Sequence, residues 1–319
     1  MHRQSHQNTH ATLLRNPALK PILTALTLIA LGCFTFAPHT RAAGVALFTC
    51  NATNNSVEAF DQTGTFVRTL VSPGSGGLSS PQNLDIGPDG KLYVSSFNTN
   101  SVKRYDIRTG AFIDDFVPSG SGGLASPDQP IFRHSDGKLY VSNRFQGTIK
   151  RYDAYTGAFI DTFVSDGRLS GFTAFTFGPD GDIYAGEFNG AHDILRFDGT
   201  TGHFLSVFNQ GNPFLDAAVT GLTFGPDGNL YACRWIANLV ERYDGATGAF
   251  IDDFVTAGSG GLKTADYLHF GPDDNLYVAG QGNGAILRYN GMTGAFIDLF
   301  TSGGPALFPK GVLFVRRPR

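Results

Sequence analysis

The chain has 319 residues, a formal net charge of −3 and 41% apolar residues, enough for a sizeable core, so a disordered chain is excluded. Charged residues make up 16%, below the roughly 25% usual in soluble domains, and the lack of a basic excess argues against nucleic acid as a partner. With 41 Gly, 28 Phe and 11 Tyr against one Trp and two Met, the composition points to turn-dense β structure rather than helix.

The first 42 residues hold Arg3, Arg15, Lys20 and Arg41 and no acid. An apolar run from Pro21 to Ala37 follows, and Thr40-Arg41-Ala42 then places small residues at positions −3 and −1 of a cleavage site. This is the layout of a secretory signal peptide with a long basic leader. The run of 17 residues is shorter than the roughly 20 a spanning helix needs, so no transmembrane helix is expected after cleavage. An alternative is a lipoprotein anchored through Cys33, because Leu31-Gly32-Cys33 ends the run; Ala30 stands where such signals prefer Leu. The expectation is an exported chain, periplasmic or extracellular, that starts near Ala43 and forms one domain over residues 43–319. The 20 basic and 27 acidic residues left give a mature net charge of −7. Only Cys50 and Cys233 remain, without C-x-x-C spacing, which excludes a disulfide framework and zinc or redox motifs.

From Val45 onward one unit repeats. Thr-Gly recurs at residues 63, 109, 156, 201, 247 and 293, at intervals of 46, 47, 45, 46 and 46. An aromatic followed by Asp or Asn precedes each copy, as in Tyr105-Asp106 and Tyr289-Asn290. A second signature, Gly-Pro-Asp-Gly or a close variant, begins at Gly87, His134, Gly178, Gly225 and Gly271. In one unit the alternation gives strands over Pro81–Ile86, Leu92–Ser95, Ser101–Tyr105 and Ala111–Phe116. Pro-Asp-Gly closes the first hairpin, Pro presetting φ and Gly taking the left-handed position. Four antiparallel strands in a repeat of roughly 40–50 residues describe a propeller blade. The chain starts on a second strand, Val45–Phe48, and Pro309–Phe314 matches Pro81–Ile86, so the C-terminal strand is expected to complete blade one. The fold class is therefore all-β: a six-bladed β-propeller of four-stranded antiparallel blades, closed by its last strand.

Over residues 45–315 these units resemble NHL-type repeats, and the six-fold count is similar to the TolB-like six-bladed propellers. That resemblance implies the fold, and a function among ligand-binding scaffolds, lactonases and lyases.

The repeated Asp of Asp-x-x-Thr-Gly reads as an Asx turn, since it recurs in every blade. The Gly-Ser-Gly-Gly-Leu stretches at 74–78, 120–124 and 258–262 lack the Lys and helix of a phosphate-binding loop and read as linkers. No Gly-x-Ser-x-Gly or His-Glu-x-x-His is present, and His134, His192, His203 and His269 are scattered. Cys50 and Cys233 occupy a position filled by Ser95, Ser142, Gly186 and Ala279 elsewhere, so they are expected as small apolar residues without a bond between them.

Function is sought where the repeats disagree. After that small residue the blades read Asn51, Ser96, Asn143, Glu187, Arg234 and Gly280, then Ala52, Phe97, Arg144, Phe188, Trp235 and Gln281. These positions should lie by the channel mouth, with Gln82, Gln129, Thr173, Thr220, Asp266 and Lys310 around the same opening. Arg144, Glu187, Arg234, Trp235 and Asp266 are the candidate ligand-binding residues; the structural alternative is a Glu187–Arg234 ion pair bracing two blades. The leading expectation is a non-catalytic binding scaffold without cofactor, a monomer whose partner is a small molecule, a glycan or a protein. The alternative, implied by a similarity to regucalcin and gluconolactonase enzymes, is a calcium-dependent hydrolase, lactonase or lyase with Asn51, Asn143, Glu187 and Asp266 as oxygen ligands. Glu58 sits in a third strand, so that family's first metal-binding Glu has no counterpart.

Overall fold

Residues 45–169, 171, 174–209, 217–301, 303–305 and 307–315 are described by a computed structural model. The expected signal segment and cleavage site lie outside them, as do Cys33 and Thr173.

Blade two shows how sequence makes a blade. Its strands are Pro81–Ile86, Leu92–Ser96, Ser101–Tyr105 and Phe112–Val117, paired in that order and antiparallel. The second strand is buried throughout, because neighbouring blades cover both faces of the sheet. In the Pro-Asp-Gly turn Asp89 accepts the Lys91 N–H at 3.0 Å and the Tyr93 hydroxyl at 3.0 Å. The buried tyrosine is thereby satisfied at its polar tip while its ring packs edge-on against Phe116 at 4.8 Å and Phe132 of blade three at 4.6 Å. The same stitch recurs at Tyr140, Tyr184, Tyr231 and Tyr277, each hydrogen-bonded to its turn Asp and packed on a Phe of the next blade. Much of the phenylalanine in the composition is spent on these joints.

The Asp-x-x-Thr-Gly signature is an Asx turn, as expected: Asp106 accepts the N–H of Arg108 and the N–H and hydroxyl of Thr109. Its Gly110 has φ +75°, and a Cβ there would stand 1.6 Å from the Leu70 carbonyl of blade one. Thr-Gly therefore recurs because each turn presses on the preceding blade. On the outer edge Arg104 grips Asp114 with both ends of its fork, at 3.1 and 2.5 Å, and Arg151, Arg242 and Arg288 repeat this on Asp161, Asp252 and Asp298. These half-exposed pairs add modest stability and keep charge on edges that would otherwise invite pairing.

Six such sheets form the ring, with Pro309–Phe314 paired to Val45–Asn51 in blade one. Tyr277 of blade six packs on Phe314 at 4.7 Å, so the closing joint uses the same aromatic contact as the others. The Gly-Ser-Gly-Gly-Leu stretches are short 3-10 turns that link blades; Ser75, Ser121 and Ser259 accept the hydroxyls of Tyr105, Tyr152 and Tyr289. Cys50 and Cys233 are free and buried, and burial pushes both thiols well up. Among the described residues there is no α-helix, and none is long and apolar enough to cross a membrane.

Candidate functional site

Inner strands begin, and second strands end, on one face of the ring, so that face carries both sets of variable residues. Just past each second strand come Ala52, Phe97, Arg144, Phe188, Trp235 and Gln281. Four of them touch in blade order: the Arg144 guanidinium lies 5.9 Å from the Phe97 ring and 4.7 Å from Phe188, and Phe188 lies 5.3 Å from Trp235. Arg144 also lies 5.9 Å from Phe145, which is 70% exposed. The rim is thus a cationic and aromatic arc over blades two to five.

Below it, the second residue of the inner strand is Gln82 in blade two, Asp128 in blade three, Thr220 in five, Asp266 in six and Lys310 in one. Here the register corrects the sequence reading by one residue. Pro127 pairs opposite Asn143 as Pro81 does opposite Ser96, so Asp128 takes the mouth position, and Gln129, one further along, accepts the Phe175 N–H at 3.0 Å.

These residues enclose a cavity of about 240 Å³. Phe188, Trp235 and Phe308 supply its apolar wall, and Asp128, Arg144, Asp266 and Lys310 its charges. The charges are paired: Arg144 Nη1 is 3.4 Å from Asp128 and Lys310 Nζ is 2.8 Å from Asp266, to which the Gln281 amide also donates. Burial holds the Asp128 carboxyl above its ordinary range, offset by Arg144 and Lys310. The cavity floor is Tyr267, a buried side chain from blade six whose hydroxyl donates to Asp128 of the opposite blade. Because the side chain spans the channel, the mouth is a cup and not the end of an open tunnel.

Arg144, Trp235 and Asp266 meet at this cup. Glu187 and Arg234 do not line it. Arg234 is 1% exposed and bonds within its own blade to Glu241 at 2.5 Å and to the Tyr243 hydroxyl at 2.9 Å, and further to the His192 and Ala217 carbonyls. Its ion-pair partner is Glu241, not Glu187. Glu187 accepts the Asp193 N–H at 3.2 Å inside the blade-four loop, and burial raises its carboxyl. Of the residues proposed as calcium ligands, Asn51 accepts the Phe308 N–H, Asn143 accepts that of Ala125, and Asp266 already holds an ammonium group. They lie in different blades with separate partners, and among the described residues no three His, Cys, Asp or Glu converge into a metal-sized set.

Sequence reasoning missed Asp128, Tyr267, Phe308 and Glu241. Tyr267 carried a signal: its register position holds Asn83, Gln129, Gly221 and Gly311 in other blades, so a large aromatic there breaks the repeat.

No protein-family model matches the sequence, and no curated protein matches it. Among solved structures the chain is similar to one in a nidogen/laminin complex, with TM-score 0.66 and 16% identity over 84% of this chain and 97% of that one. It is also similar to selenomethionine-substituted virginiamycin B lyase from Staphylococcus aureus, with TM-score 0.55 and 19% identity over 84% of this chain and 78% of that one. At such identities the likeness is one of fold, and with six closed four-stranded sheets it makes the chain a six-bladed β-propeller.

Proposed function

We propose that this is an exported, non-catalytic propeller of the NHL or TolB-like kind, whose cup binds a saccharide or a similarly flat, hydroxyl-bearing ligand. The observation that carries the reading is the pairing of an aromatic rim with a charge-neutral polar floor. Trp235 and Phe188 offer faces on which a sugar ring stacks, and Arg144, Asp128, Asp266, Lys310 and Gln281 offer donors and acceptors to its hydroxyls. A volume of about 240 Å³ is below the roughly 300–1,000 Å³ of drug-sized pockets and suits one ring at a time. The basic leader and the Thr40-Arg41-Ala42 site support export. A calcium-dependent reaction is the weaker reading, because the oxygens it needs already accept protein hydrogen bonds or hold Lys310.

Trp235 is the chain's sole tryptophan, so its emission reports the cup directly. Titration with a panel of monosaccharides and disaccharides should give a saturable shift or quench for at least one member, weakened in Arg144→Ala. A saccharide that binds by calorimetry while leaving Trp235 emission unchanged would remove the cup as the site.

A further inference from the structure

Tyr267 also roofs a second cavity. On its far side the channel holds a space of about 200 Å³, and Tyr267 is the only residue that lines both spaces among the described residues. All six inner strands contribute to the lower chamber. Its polar wall comes from the Asn83 and Gln129 amides, the Thr176 and Thr223 hydroxyls, Asp85 and His269, and the remainder is aliphatic. Asp85 and His269 occupy the same register position, one residue past Leu84 and Leu268.

The charge balance differs from that of the cup. No Lys or Arg lines this chamber among the described residues, so Asp85 is its one ionised group near neutral pH. The carboxylate is held by the Phe132 N–H at 2.8 Å and the Ile86 N–H at 2.7 Å, neither of which neutralises it. His269 Nδ1 lies 2.6 Å from the Phe270 carbonyl, to which it donates, which leaves Nε2 as an acceptor. A channel space with one negative charge, an imidazole acceptor and hydroxyls has the chemistry of a cation site.

We propose that the lower chamber is a second binding site, separate from the cup, for a small organic cation: a primary ammonium compound whose charge meets Asp85 and whose short carbon chain lies on the aliphatic wall. The space corresponds to about seven water molecules at about 30 Å³ each, which admits an amine of a few carbons and excludes a polymer.

The site should depend on pH. Burial pushes Asp85 up to about 6, with His134 nearby acting in the opposite sense. Below that pH Asp85 takes a proton and loses the charge that meets the cation, so binding weakens as the pH falls. The roof, Tyr267, is pushed well up by burial and stays neutral.

The test is calorimetric titration of the full-length mature protein with n-butylamine at pH 7.5, with n-butanol and sodium butyrate as controls. Saturable butylammonium binding that exceeds both controls, falls about tenfold or more at pH 5, disappears in Asp85→Asn and leaves Trp235 emission unchanged is expected. His269→Lys, which places a cation in the chamber without touching the Asp85 hydrogen bonds, should also abolish it, and serves if Asp85→Asn fails to fold. Equal binding of butanol, retention in His269→Lys, a Trp235 response to the amine, calcium binding in place of the amine, or no binding at all would each overturn the proposal. None of these outcomes bears on saccharide binding in the cup, which Trp235 reports independently.

Discussion

Replacing Arg234 by Ala is the perturbation that most sharply separates scaffold from site. The guanidinium is buried, and so is its partner: both side chains are 1% exposed. Arg234→Ala deprives Glu241 of its counter-ion at 2.5 Å and the His192 and Ala217 carbonyls of their shared donor. The Tyr243 hydroxyl still donates to Glu241, which softens the loss without replacing the charge. Removing one member of a buried pair costs about 3–5 kcal/mol, a large part of a total stability of about 5–15. For a domain of this size each kcal/mol moves Tm by about 2–4 °C, so the melt should fall by about 6–20 °C. The expected effect on saccharide affinity at temperatures where the variant is folded is small, because Arg234 does not line the cup. Differential scanning calorimetry of Arg234→Ala and of the double variant Arg234→Met/Glu241→Leu checks this. The double variant should regain most of the loss, since blades four and six already carry Leu195 and Leu287 at the position of Glu241. A single variant that melts within about 2 °C of the parent, or a double variant no more stable than the single, would refute a structural role for the Arg234–Glu241 pair.

Three further outcomes follow from the same structure. Deleting Pro309 to Arg319 leaves blade one with three strands and removes the buried Val312, worth roughly 1.5–3 kcal/mol, and the partly buried Phe314, worth less, so the protein should melt far lower or aggregate; an unchanged melting curve would contradict the closure. N-terminal sequencing of exported material should begin at or near Ala43, and a lipid-bearing start at Cys33 would replace cleavage after Ala42 with lipoprotein processing. Asp85 holds its proton up to about 6 in the folded chain, against 3.8 as its ordinary value, so its contribution to stability is fully present below pH 3.8 and is lost as pH rises to about 6. Chemical denaturation should show that decline in the parent and a flatter profile in Asp85→Asn; equal profiles would mean that Asp85 is not desolvated.

The fold was largely legible because its determinants are local and repeated. Asp106, Thr109 and Gly110 write one turn, Asp89, Gly90 and Tyr93 the other, and each recurs with the blade period. The strands expected over Pro81–Ile86, Ser101–Tyr105 and Pro309–Phe314 are those observed, and the outer strand shifts by one residue to Phe112–Val117. The rim was partly legible, since Arg144 and Trp235 stand out against their counterparts in other blades. What escaped were pairings between elements that are distant or differently oriented. Tyr267 meets Asp128 across the channel, 139 residues away, and nothing in either segment announces the other. Arg234 finds Glu241 only because the second and third strands pair in a register that puts both side chains in one buried layer. The slip between Gln129 and Asp128 came from two prolines, Pro127 and Pro130, around a register irregularity.

The most direct measurement of the central claim is a crystal structure of the mature protein with the tightest-binding saccharide from the Trp235 titration. The expected result is ligand density in the cup, one ring face against Trp235 or Phe188, hydroxyls within hydrogen-bond distance of Arg144 and Asp266, and Tyr267 still closing the floor against Asp128. Density on the opposite face or along the outer strands, with the cup holding only water, would contradict it.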